Sequence, residues 1–154
     1  MTCNEIITAV DALKPNEYTT SQKLELLTYL DRVMLEDILL SHANNICTAE
    51  DAPESPDAGQ LWLDISGDSM VLKRFTTDNL FEEVFPYTNT SDILLFDDTA
   101  AEIYRLYLMV QIDFYNSEYT RYNNDSAMFN EAYSRFERAF TRIKGTRAAT
   151  RWAY

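Results

Sequence analysis

Histidine is almost missing from this chain, and glycine and proline are scarce: one His, three Gly and four Pro stand among 154 residues. The single His42 excludes a His-based metal cluster and a His–His acid–base pair, and a Ser-His-Asp arrangement would have to be built around that one residue. His42 falls near the end of a predicted helix, where a cation complements the helix dipole, and a structural or surface role accounts for it. The few Gly and Pro lie at Pro15, Pro53 to Gly59, Gly67, Pro86 and Gly145, so long helices are permitted elsewhere.

Cysteine is also sparse. Cys3 and Cys47 form neither a disulfide framework nor a C-x-x-C pair, and two reduced thiols are expected. No run of about 18 uncharged apolar residues occurs, and the first residues lack the basic start and apolar stretch of a secretory signal, so the expectation is a soluble protein made in the cytoplasm with no membrane partner. There is no P-loop, GxGxxG, HExxH or zinc-ribbon spacing. Asp97-Asp98, Asp64 with Asp68 and the acids of the fifties lack EF-hand spacing, and caps, turns and solvated charge explain them. No catalytic residue, cofactor or metal site is nominated, and the expectation is a non-enzymatic protein.

Positive charge is the other shortage. The formal net charge is −12, which disfavours general binding to phosphate backbones. The imbalance is local: residues 1–120 carry 6 basic and 22 acidic side chains, whereas residues 121–154 carry 7 basic and 3 acidic. Opposite charge at the two ends suits head-to-tail association of copies.

What the chain does have is apolar material, 46% of the residues, with ten Tyr and eight Phe. That is enough for a folded core, and the length suits one domain. Three capping boxes are read from a hydroxyl residue followed three positions later by Glu or Gln: Thr2 with Glu5, Thr19 with Gln22, and Thr99 with Glu102. The first opens a short helix with Ile6, Ile7, Val10 and Leu13, stopped at Lys14 by Pro15. The second opens a helix over about Thr20 to His42 on Leu24, Leu27, Leu30, Met34 and Ile38. Leu26, Val33 and Leu40 widen that apolar stripe.

From Asn44 to Gln60 periodicity is lost, and an acidic exposed loop is expected. Leu61 to Ile65 and Met70 to Phe75 then read as two short strands around Ser66-Gly67-Asp68-Ser69. Asp78 to Phe85 is expected to form a helical turn or two, and Ile93-Leu-Leu-Phe96 a short apolar run.

The third helix spans about Thr99 to Tyr122, with Ile103, Leu106, Tyr107, Val110 and Phe114 on one stripe that continues into Glu118 and Arg121. Asn123-Asn124-Asp125 supplies turn and cap chemistry before a fourth helix to about Lys144, with Phe129, Ala132, Phe136, Phe140 and Ile143 inward. Helices three and four would form an αα-hairpin. A single long helix through the Asn pair is the alternative.

A polar set gathers at this corner: Gln111, Asp113, Asn116, Glu118, Arg121, Asn123, Asn124 and Asn130. Pairing of Glu118 with Arg121 would fix the hairpin's register, while a fully exposed corner would carry little energy. After Gly145 a basic C-terminal tail, 145–154, carries Arg147, Arg151, Trp152 and Tyr154, residue types common at binding hot spots. Terminal disorder explains such a tail equally well.

Gln111-Ile-Asp113, Tyr115-Asn116, Glu118, Arg121-Tyr-Asn-Asn124, Ala127, Phe129-Asn130, Ala132-Tyr133 and Phe136 resemble the C-terminal helical segment of the head-tail connector, or adaptor, proteins of tailed bacteriophages. Asp11-Ala-Leu-Lys-Pro-Asn16 with Tyr18, Lys23, Leu30-Asp31 and Glu36 is similar to that family's N-terminal segment. Together the two segments cover about 9–40 and 93–144, and Ile93 to Phe96 resembles the run before the third helix. Residues 44–89 and the Arg- and Trp-containing tail do not match.

The resemblance implies a virion protein at the capsid–tail junction that forms a ring, commonly of about twelve copies, on the portal protein. Such a ring extends the DNA exit channel and receives the tail or a stopper protein, and DNA passes through it without sequence recognition. The resulting expectation is a mainly α fold. An antiparallel core of about four helices would occupy residues 1–144, with a small β-hairpin insertion at about 44–92. Arg147, Arg151, Trp152 and Tyr154 would contact the portal or a neighbouring copy. The alternative from charge alone is a small acidic DNA mimic that inhibits a basic host protein. A carboxylate hydrolase ranks third and would require a pocket holding two acids of split pKa.

Overall fold

The structure, a computed structural model, describes residues 1–41 and 46–151, the stretch 143–151 as backbone only. His42, Trp152 and Tyr154 lie outside the described residues, as do the side chains of Arg147 and Arg151. The chain divides into two compact units, Met1–Met34 with Tyr87–Tyr154, and Leu35–Pro86. Four α-helices and a four-stranded mixed sheet make up the regular structure, a mainly α chain.

In the first unit, α1 (Cys3–Leu13) starts at the expected box: Glu5 N–H donates to Thr2 Oγ1, and Thr2 N–H donates to the Glu5 carboxylate. Two more N–H groups of its first turn, from Cys3 and Asn4, donate to the Asp92 and Thr90 carbonyls, so the helix start is tied to the segment before α3. Lys14 caps the other end in extended geometry, as the following proline requires.

The Thr19–Gln22 box is also reciprocal and opens α2 (Thr20–Met34), which buries Leu24, Leu27, Leu30 and Met34. Helical winding was expected to reach His42. Regular α geometry instead ends at Met34, and the chain continues as a π turn over Leu35–Leu39. Apolar periodicity is a poor guide here, because Met34, Leu35, Ile38 and Leu39 are buried in either winding.

Asp97 displaces the third expected box. Its carboxylate accepts from both N and Oγ1 of Thr99 at 3.0 and 2.5 Å, opening a 3-10 turn at Asp98–Ala100, while Glu102 pairs with Arg135 instead. The helix α3 (Ala101–Tyr115) follows, with Ile103, Tyr104, Leu106, Leu108, Val110 and Ile112 buried. It ends well before Tyr122. Ser117 takes a left-handed conformation with φ of 58°, Glu118 N–H closes onto the Asp113 carbonyl, and α4 (Tyr119–Arg151) begins at once.

Asn123-Asn124-Asp125 therefore lies inside α4 rather than in a turn, and the backbone passes Gly145 without a break. α1 and α2 pack on α3 and on each other, and α4 packs on α3. Aromatic contacts bring Tyr107 to Phe129, and Phe96 to Phe136 and Phe140.

The second unit holds β1 (Cys47–Ala49), β2 (Leu61–Asp64), β3 (Val71–Phe75) and β4 (Phe81–Glu83), in that spatial order. β1 runs parallel to β2, and the other pairs are antiparallel, with Leu63 opposite Leu72. Two of these strands correct the sequence reading. Phe81–Glu83 is extended where a helical turn was expected, and β1 lies within the stretch read as irregular. Trp62 anchors the unit: it is edge-on to Phe81 at 5.2 Å, donates from Nε1 to the Ala49 carbonyl at 3.0 Å, and lies under the Lys73 ammonium, which also pairs with Asp64.

Candidate functional site

The extended geometry that Pro15 imposes on Lys14 sends its side chain away from α1 toward the start of α4. Its ammonium donates to Asp113 Oδ1 of α3 at 2.5 Å and to Asp125 Oδ2 of α4 at 2.7 Å. One cation thus joins three helices. Asp113 is fully buried, and its second oxygen, Oδ2, receives no hydrogen bond among the described residues.

Burial pushes the Asp113 carboxyl above its usual range, Lys14 works against this, and neighbouring Asp125 adds to the rise. For Lys14 burial favours the neutral amine, but the two carboxylates outweigh it and hold the ammonium. A cleft of about 590 Å³ borders the joint, lined by Leu13, Lys14, Met109, Thr120, Arg121, Asn124 and Asp125.

The loop after α1 extends this polar framework. Buried Lys23 donates to Asp11 at 2.6 Å, Asn16 donates to Asp11 and to the Lys14 carbonyl, and the Tyr18 ring packs 5.0 Å from that of Tyr115. Burial raises the Asp11 carboxyl, but the bonds from Lys23 and Asn16 prevail and lower it.

A second buried carboxylate, Asp31 on α2, accepts from the Tyr104 hydroxyl, from the Tyr87 hydroxyl at 2.5 Å and from Leu95 N–H at 3.0 Å. Thr28 beside it accepts from Tyr87 N–H. Burial, then the Asp31 charge, pushes the Tyr104 hydroxyl well above its ordinary range. These contacts bind the segment 87–96 to α2 and α3. Cys3 is buried and its thiol is pushed up to about 12, chiefly by burial, which leaves it unreactive.

The sequence-selected corner set is divided by the fold. Asp113 enters the joint, and half-buried Gln111 offers its backbone carbonyl to the Tyr18 hydroxyl at 3.5 Å. Glu118 and Arg121 pair at 3.0 Å on the surface. Asn116, Asn123, Asn124 and Asn130 are exposed, and since Asn123 and Asn124 sit inside α4 they supply no turn chemistry.

Sequence reasoning missed Asp125 as the partner of Lys14 and took Asp31 only as part of a resemblance. The available signal was a charged residue on a stripe otherwise occupied by Leu24, Leu27 and Met34. Among the described residues no group of three or more His, Cys, Asp or Glu could hold a metal ion, and no helix is long and apolar enough to cross a membrane. Compared with protein-family profiles, curated proteins and solved structures, the chain matches none of them.

Proposed function

We propose that this protein is a structural connector of the head-tail type, a non-enzymatic virion component at the capsid–tail junction. Its ring of copies would sit on a portal protein, extend the DNA channel and offer a docking surface to a tail or stopper protein. In this reading α3 and α4 form an αα-hairpin within an antiparallel helical core, and the sheet is an insertion.

The observation that carries the reading is the way the two resembling segments meet. Lys14 from the first contacts Asp113 from the second, and Tyr18 packs on Tyr115. Both segments fall almost wholly within the first unit, while the stretch without resemblance makes up most of the second, Leu35–Pro86. The residues quoted for the resemblance are thus the framework of one compact body. The acidic composition is compatible with a channel wall that repels phosphate and lets DNA slide.

The Asp113–Asp125 pair is the one feature that favours a carboxylate hydrolase. Lys14 bridges both acids, and Asp113 has no exposure to a substrate, so the pair serves packing better than catalysis.

The deciding experiment is light scattering with negative-stain imaging of the purified chain, alone and with a tailed-phage portal protein. A ring, free or portal-bound, is the expected result. A monomer indifferent to portal would overturn the reading and favour the acidic DNA mimic.

A further inference from the structure

Two outward faces of the first unit carry opposite charge and point in opposite directions. Tyr104 of α3 reaches Asp31 of α2, while Glu102 of α3 reaches Arg135 of α4. At about 100° per residue these positions lie about 160° apart around α3. The layer formed by α1 and α2 therefore covers one side of α3, and α4 covers the other.

The α1–α2 side exposes Glu5, Glu17 and Glu25, with Tyr29 standing 62% exposed among them. Both lysines of residues 1–34 are withdrawn into ion pairs, which leaves Arg32 as the exposed cation of that stretch.

On the far side, α4 is much the longer helix: its 33 residues span about 50 Å against about 22 Å for α3. Its outer surface exposes Arg138 and Arg142, with Met128 46% exposed nearer its start. Beyond Arg142 the chain carries Lys144, Arg147 and Arg151 and no acid.

We infer that the arginine-bearing outer face of α4 docks on the acidic α1–α2 face of a second copy of this chain. The contact is heterologous, so each copy keeps one face of each kind free for the next. Such contacts close into a ring or run on as a filament. Tyr29 is the aromatic anchor of the acidic face, bordered by charge, in the arrangement typical of interface hot spots. The choice of a closed ring over a filament rests on the connector reading, whereas the pairing of faces does not.

Charge reversal tests this on the full chain by light scattering at low salt, alone and with portal protein. Arg138→Glu with Arg142→Glu makes both faces acidic, and Glu17→Lys with Glu25→Lys makes both basic. Each variant by itself is expected to lose self-association by about tenfold or more. An equimolar mixture is expected to recover it, because every alternating contact again joins opposite charges. Recovery also shows that both variants are folded.

Undiminished assembly of either variant, or a mixture that does not recover, would overturn the interface, as would a wild-type chain monomeric under both conditions. The two ideas fail separately. Assembly that survives both reversals leaves the connector reading standing, and charge-rescued assembly that ignores portal protein keeps this interface while removing the connector.

Discussion

The ammonium of Lys14 and the carboxylate of Asp113 meet at 2.5 Å although 99 residues of chain separate them. Asp113 is fully buried, and Lys14 is its only ion-pair partner among the described residues. Removing the cation leaves two adjacent carboxylates with no counter-charge. Lys14→Met is therefore expected to destabilise the first unit by about 3–5 kcal/mol, measured by urea unfolding near neutral pH. Acidification should shrink the loss, because a protonated Asp113 no longer needs the cation. A loss under ~1 kcal/mol at neutral pH would mean that the joint contributes little.

Titration of the joint gives a second expectation, opposite in sign to that of an ordinary surface acid. The folded-state pKa of Asp113 is raised above 3.8, so its ionisation costs the folded state stability as pH rises from about that value through the folded pKa. Asp113→Asn should accordingly gain on the wild type as pH rises above about 4 and then level off. Asp64 runs the other way: Lys73 and Ser66 lower its carboxyl to about 2, and its stabilising contribution is lost as pH falls from 3.8 toward 2. The deficit of Asp64→Asn should therefore disappear in acid. Unfolding curves for both variants from pH 2 to 7 check the two slopes, and parallel slopes would contradict the electrostatic account.

These examples show how far the fold was legible in the sequence. Thr2–Glu5 and Thr19–Gln22 were legible because a capping box is complete within four residues. Thr99–Glu102 has the same spacing, but Asp97 lies closer to the helix start and takes the bonds. β1 was invisible because three residues pairing in parallel need no alternating pattern. The Lys14–Asp113–Asp125 joint depends on contacts 99 and 111 residues apart, which no local signal encodes. Asp125 was read as a turn residue for its propensity, whereas its burial beside Lys14 holds it in a helix.

Asp31 yields a third expectation. Its carboxylate takes two tyrosine hydroxyls and one backbone N–H in a site without solvent. Asp31→Leu leaves those donors unsatisfied and should cost about 3 kcal/mol or more, while Tyr87→Phe removes a single hydroxyl and should cost about 1–2 kcal/mol. Chemical denaturation of the two variants supplies the comparison. Equal losses would show that Asp31 is not the hub of this network.

The surface pair at the corner should behave differently. Arg121 and Glu118 side chains are 68% and 40% exposed, so their attraction is screened by water and salt. Arg121→Ala is expected to change stability by no more than ~0.5 kcal/mol, leaving the melting temperature nearly unchanged. The pair would then be a consequence of the helical corner and not what sets its register. A drop of several degrees would restore the register role.

Ser117 offers the sharpest test of where the corner lies. Its φ of 58° puts a non-glycine residue in the left-handed region, which costs an L-residue about 1–2 kcal/mol. Glycine removes that cost but adds freedom to the unfolded chain, worth roughly 0.5–1 kcal/mol in the other direction. Ser117→Gly should therefore stabilise the first unit by a few tenths to about 1 kcal/mol, and Ser117→Val should destabilise it, because a β-branched side chain fits that region poorly. The same pair of substitutions at Asn124 should have the reverse order, since glycine inside a helix is the more costly choice. If α3 instead ran on to a turn at Asn123-Asn124, glycine would be tolerated best at 124 and would weaken position 117. Melting curves of the four variants thus separate a corner at Ser117 from one at the Asn pair.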